Sequence, residues 1–256
     1  MTLRALLYVF LAALMIDAIT EVGLVGSMVG FLHINHHDIS FPIQGPQGQF
    51  LLWPKPAHFI VNQGHTSNGA AGTAFVLVGV GGFLALWWQG RRQRTVALLH
   101  IPHSTDPPTD HVQAKRPLTP SRILLLWTLM SLLAGLLTLV ALIYTFAVTG
   151  MTDHQTIDLA VAAANSGTPY PLHQWTPENW FKQVLQLPFV NESDKGDIRF
   201  HLHLMSGWRW NLIPILLLEF IVCVLALMNL IKERRESQHV FRRGQPRFEM
   251  MTGWER

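Results

Sequence analysis

The chain has 256 residues, 49% hydrophobic and only 14% charged, with a formal net charge of +3. So small and dilute a charge gives no evidence for a nucleic-acid partner, and one cysteine, Cys223, excludes an internal disulfide framework. The apolar residues gather into four runs, 5–32, 70–88, 123–148 and 210–231, each near the roughly 20 residues that an ~30 Å hydrocarbon layer demands.

The first run follows Met1-Thr2-Leu3-Arg4 and continues past Gly30 without an A-x-A cleavage site, so it reads as an uncleaved signal-anchor helix. Asp17 and Glu21 lie four apart and project from one face. A carboxylate near the bilayer centre costs a few kcal/mol on insertion scales, so these two, and Glu219 in the fourth run, should face the bundle or water. No Lys or Arg occupies a span centre. The three acids are therefore expected to be protonated or bonded to hydroxyls such as Thr20, Thr128, Ser131 or Thr138. They form either a polar cluster that fixes packing or a proton or cation path; the first is preferred because transporters use more spans and broken helices. Gly23, Gly26, Ser27 and Gly30 make a small-residue face with Gly26 and Gly30 in GxxxG spacing, expected as a packing seam within the chain.

The first loop, 33–69, opens on His33-x-x-His36-His37, the spacing of a histidine box, and imidazoles so spaced can hold iron or zinc. His33, His36 and His37 are the candidate metal ligands, although a box enzyme needs several such motifs converging on one face, and His100-x-x-His103 lies in the next loop. A pH-responsive surface is the alternative, since free imidazole titrates near pH ~6.5. Pro42, Gly45-Pro46, Gly48, Pro54 and Pro56 mark turns; Phe50-Leu51-Leu52-Trp53 and Phe59-Ile60-Val61 read as short extended pieces or dips into the headgroup layer. Gly64 to Gly69 reads as a polar turn before span two; without a following Lys-Ser/Thr it is no phosphate loop. Span two is rich in Gly and Ala and ends in Trp87-Trp88, an interfacial belt.

The loop 89–121 has no periodicity and reads as a connector. Span three is plain and Leu-rich. In the loop 149–207, residues 153–165 read as a short helix, and Thr176-Pro177-Glu178 is a helix start with Thr as cap and Pro in the first turn. That helix places Trp180, Phe181, Val184, Leu185 and Leu187 on one apolar stripe, and 198–205 reads as another segment capped by Asp194 or Asp197. Such amphipathic pieces should lie on the membrane surface or cap the bundle. Span four opens with Trp208-Arg209-Trp210-Asn211, and Pro214 in its first turns can kink it.

Lysines and arginines set the orientation. The first loop has only Lys55; the loop 89–121 has Arg91, Arg92, Arg94, Lys115 and Arg116; the tail 232–256 carries Lys232 and six arginines. Both termini and the 89–121 loop are thus expected in the cytoplasm, with loops 33–69 and 149–207 outside. The one sequon, Asn191-Glu192-Ser193, then falls outside, where Asn191 can be glycosylated.

Four spans with internal termini and a structured outer surface resemble the claudin-like tetraspans of fungi, of eisosome and ambient-pH-sensor type. The segments Val61-Asn62-Gln63-Gly64-His65-Thr66-Ser67-Asn68-Gly69-Ala70-Ala71-Gly72 and Trp208-Arg209-Trp210-Asn211-Leu212-Ile213-Pro214 are similar to those of filamentous-fungal integral membrane proteins. Claudin-like chains carry Gly-Leu-Trp and paired cysteines in the first outer loop; here Leu51-Leu52-Trp53 stands without cysteine, so no functional residue transfers.

The expected fold is therefore an all-α membrane protein: a four-transmembrane-helix bundle over 1–231, short amphipathic helices in its second outer loop, and a basic tail at 232–256. The expected role is non-enzymatic, organising a membrane domain or scaffolding a partner in the plasma membrane or secretory pathway. The alternatives are an outer pH or metal sensor and a small transporter or His-box enzyme. The bilayer is one partner; a membrane protein or a second copy is the other. No motif implies a cofactor.

Overall fold

The computed structural model describes residues 2–34, 40–98 and 122–244. Four helices in it are long and apolar enough to cross a membrane, and the chain is an all-α, four-span protein. The first is α1 (Leu3–Ile34). The second is built of α2 (Asn62–Thr73), a π-helical stretch (Ala74–Val80) and α3 (Gly81–Leu98). The third is α4 (Arg122–Met151), and the fourth is α7 (Asp194–Gly244). The helices close a ring in which α7 packs along α1 and α4, and span two packs along both of these from the other side.

Span three shows why this bundle does not resemble a soluble one turned loose. Its inner face carries Thr128, Ser131, Ala134, Thr138, Ala141, Thr145 and Thr149, whereas Leu125, Leu126, Leu129, Leu132, Leu133 and Leu136 point outward. Hydrocarbon solvates leucine as well as a protein core does, so close packing of small residues decides which face turns in.

Three expectations about the spans change. Span two starts at Asn62, eight residues before the apolar run, because Gln63 and Ser67 are buried against the bundle and the hydroxyls of Thr66 and Ser67 donate to carbonyls of their own helix. Tertiary packing there overrides the weak helix propensity of a Gly- and Asn-rich stretch. The segment 198–205 is no separate piece: α7 is one helix of 51 residues that runs through it, through Pro214 and beyond residue 231 into the tail. Finally, among the described residues no neighbour packs against the Gly26 and Gly30 face of α1. A Cβ placed on Gly23, Gly26 or Gly30 would meet nothing within 4 Å among the described residues.

The close approach lies in span two instead. A Cβ on Gly79 would overlap the Met15 side chain, and one on Gly82 would sit 2.7 Å from Trp127 and 2.9 Å from Leu11. Beside these glycines the helix is π-wound, and the Val78 carbonyl accepts a hydrogen bond from the Trp127 indole at 3.1 Å. The Gly81 amide also reaches this carbonyl, so Val78 O accepts from the helix and from Trp127 together.

At one end of the bundle, called here the cap side, the two loops build a common unit. Strands β1 (Phe41–Gly45) and β2 (Gly48–Leu52) form an antiparallel hairpin with Phe41 opposite Leu52. Its turn needs glycine twice. Gly48 has φ +124°, and a Cβ on Gly45 would lie 3.0 Å from the Phe50 ring. The chain at Phe189 pairs with the outer edge of β1, through Gln44 N–H to Pro188 O at 2.8 Å and Val190 N–H to Pro42 O at 3.0 Å. Helix α5 (Leu159–Ala164) is shorter than expected, because its cap is Asp158, whose carboxylate accepts from the amides of Ala160 and Val161. Helix α6 (Pro177–Val184) starts as expected, with the Thr176 hydroxyl accepting from Asn179 N–H.

Candidate functional site

Two parts of the molecule hold chemistry that plain packing does not require. The cap is the first. Its core is aromatic: Tyr170, Trp175, Trp180 and Phe181 are each at most 1% exposed, with the Trp175 and Trp180 rings 5.3 Å apart and tilted by 73°. The Trp180 indole donates to Pro54 O at 2.9 Å, and Trp175 joins the first loop through both its N–H and its C=O. The stripe of α6 therefore closes this core rather than lying on lipid. Phe31 and Leu32 of α1 and Met205 and Trp208 of α7 complete it from below.

Two polar links pin the cap to the spans. The Asn179 amide donates to Thr149 O at 2.6 Å and to the Thr152 hydroxyl at 2.7 Å, which itself stands 3.3 Å from Thr176 Oγ1. Every polar side chain of this buried group is paired, the condition under which such a network rigidifies. On the other flank Glu178 and Arg209 form an ion pair of 3.0 Å with 13% and 19% of their side chains exposed. Burial pushes the Glu178 carboxyl above its usual range, against the opposing pull of Arg209.

The second part is inside the bundle. Glu21 is fully buried and Glu219 is 1% exposed, and none of their four carboxyl oxygens has a hydrogen-bond partner among the described residues. Asp17 is half-buried on the same side of α1, where Asn211 of α7 donates to its backbone carbonyl at 3.4 Å. Glu219 faces Thr138, whose hydroxyl is likewise unpartnered. The other expected hydroxyl partners are engaged elsewhere: Thr20, Thr128 and Ser131 donate to carbonyls four residues back in their own helices. Sequence reasoning missed Gln89 and Asn229, which pair inside the bundle at 3.1 Å; an amide within an apolar run was the signal available.

The spacing of these groups limits what they can do. Asn211, Glu219 and Asn229 follow one another down α7 at intervals of about 12 and 15 Å, using 1.5 Å per residue. Leu212, Ile215, Val222 and Ala226 are buried between them. Hydrogen bonds reach only about 3 Å, so these three groups of α7 do not by themselves form a continuous relay.

Of the proposed metal ligands, His36 and His37 lie outside the described residues. His33 is exposed, with Nδ1 at 3.0 Å from the Val29 carbonyl, to which it donates. Among the described residues no three His, Cys, Asp or Glu side chains stand together as a metal site would need. His201 stacks on Phe31 at 3.7 Å, and His201 and His203 each bond a carbonyl of their own helix. Asn191 is exposed in the turn before α7, with its amide donating to Asp194. Gly26 lies exposed on α1 and Gly30 is half-exposed.

No family model, curated protein or solved structure matches the chain.

Proposed function

We propose that the protein is a non-enzymatic integral membrane protein that organises a membrane domain by holding a partner membrane protein, with the cap as its recognition surface. The observation that carries this reading is the cap itself. Loops separated by a hundred residues are woven into one aromatic core and bound rigidly to α4 and α7. The sheet-like layer buries Phe41, Ile43, Phe50 and Phe189 on one face and leaves Leu51 and Val190 48% and 46% exposed on the other, both beside Pro42. A rigid unit with an uncovered apolar face suits binding more than catalysis.

With the basic 89–121 loop and tail in the cytoplasm, the cap faces outside, and Asn191 is placed to accept a glycan. This is the arrangement of a plasma-membrane or secretory-pathway protein, in keeping with the claudin-like resemblance. The test is purification of the full chain from its native membrane in mild detergent. A stoichiometric membrane-protein neighbour is expected, and L51D/V190D should release it while cap folding persists. Isolation of single copies without a neighbour, or retention of the neighbour by L51D/V190D, would overturn the reading.

The small-transporter alternative draws support from the bare oxygens of Glu21 and Glu219, but the apolar intervals along α7 weigh against it. Proton or cation flux in liposomes that disappears in E219Q would reverse that judgement.

A further inference from the structure

Beneath the cap lies a cavity of about 210 Å³, between the last turns of α1, the first turn of α2 and α7. Val25, Met28, Val29, Leu32, Phe59 and Trp208 supply most of its wall. It exceeds the roughly 150 Å³ at which an engineered apolar cavity stays dry and takes up benzene, so it has room for a stretch of hydrocarbon chain. Val29 and Val61, which line it, are 41% and 38% exposed, so the cavity is open to the outside of the bundle.

The wall is not wholly apolar. Gln63 and Trp208 line it, are 1% and 5% exposed, and leave Gln63 Oε1 and Trp208 Nε1 without a partner among the described residues. Lys55 brings positive charge to the cavity wall, beside His33 and His65, and no Asp or Glu lines it. Lys55 is half-buried, has no ion-pair partner among the described residues, and its ammonium is pushed below its usual pKa by burial.

We propose that this cavity holds one acyl chain of an anionic glycerophospholipid from the cap-side leaflet, with the lipid phosphate seated on Lys55. His33 uses Nδ1 on Val29, which leaves Nε2 as its free ring nitrogen at the mouth. The proposal needs the membrane-spanning fold but not the partner reading.

The experiment is native mass spectrometry of the full chain in detergent, with phosphatidylglycerol and phosphatidylcholine of matched chains added in turn. Wild type should retain one phosphatidylglycerol, about tenfold in preference to phosphatidylcholine, the size expected of one charge-assisted contact. K55Q should remove the preference but keep weak retention of both lipids. V29W and V61W fill the cavity from opposite walls and should abolish retention; each is read only if its melting temperature matches wild type, and two walls guard against one variant misfolding. Equal retention of the two lipids by wild type, a preference that survives K55Q, or full retention by a folded V29W or V61W would overturn the proposal.

Discussion

Glu21 sits in the bundle with none of its surface exposed and with neither carboxyl oxygen bonded; Glu219 repeats the arrangement at 1% exposure. Replacing either with methionine keeps the length of the side chain and removes the polar atoms. Each unmade hydrogen bond in a buried site costs about 1–3 kcal/mol, whether or not the acid carries its proton. A near-isosteric swap in a packed core gives back up to about 1.5 kcal/mol in misfit. The net expectation is a gain of about 1–3 kcal/mol for E21M and for E219M. For a chain of this length ~1 kcal/mol moves the midpoint by about 2–4 °C, so each variant should melt roughly 2–12 °C above wild type. The assay is thermal unfolding of the purified protein in detergent, followed by tryptophan emission. E21Q and E219Q serve as controls, because a retained amide still lacks partners and should show no such gain. A methionine variant that melts at or below wild type would show that water or an ion satisfies the carboxyl in the membrane, and the reasoning would fail.

Three further outcomes follow from the same geometry. G82L should destabilise the bundle by about 1–3 kcal/mol or prevent its assembly, since its Cβ starts 2.7 Å from Trp127, whereas G26L should leave the melting temperature unchanged, since nothing lies within 4 Å; equal effects would refute the placement of the seam in span two. W127F removes the indole donor and leaves Val78 O with the Gly81 amide alone, with an expected loss of about 0.5–1.5 kcal/mol and faster hydrogen exchange across residues 74–80; unchanged exchange would mean that the π winding does not depend on Trp127. The third concerns pH. Lys182, bonded to Asp153 at 2.6 Å, holds that carboxyl below its usual range, so the pair's stabilisation is whole above the unfolded pKa of ~3.9 and fades as pH falls through the folded value. Both side chains are nearly half exposed, 48% and 44%, so the difference between wild type and D153N should stay under ~1 kcal/mol at pH 6 and shrink as the solution is acidified below the unfolded value. Glu178 has the opposite sign, because its folded pKa is raised, and its contribution weakens as pH rises through that value.

Much of the fold was legible because hydrocarbon imposes a simple condition. Every backbone polar group must be satisfied within its own segment, so runs of twenty apolar residues can only be helices. The Thr176-Pro177 start of α6 was equally plain, since a cap is a local device whose donor and acceptor lie three residues apart. Glu21 and Glu219 could be named as buried because no other position is tolerable for an acid at that depth. What they face could not be read, since that depends on which helix lies opposite. Gly26 and Gly30 misled for the same reason: GxxxG spacing marks a face that permits close approach but does not say that a neighbour is there, and in this fold Gly79 and Gly82 take that role.

The amino-acid sequence by itself determined the number of spans, the helical class and the capped start of α6. Each of these depends on groups within a few residues of one another and on a solvent that punishes unpaired backbone. Only the tertiary structure decided that the two loops form one capped unit, that α7 runs unbroken through Pro214, and that the seam of the bundle lies beside a π-wound turn. These depend on contacts such as Trp180 with Pro54 and Trp127 with Val78, which join residues 126 and 49 positions apart. No local pattern encodes such pairs, because their free energy is gained only when distant segments arrive together.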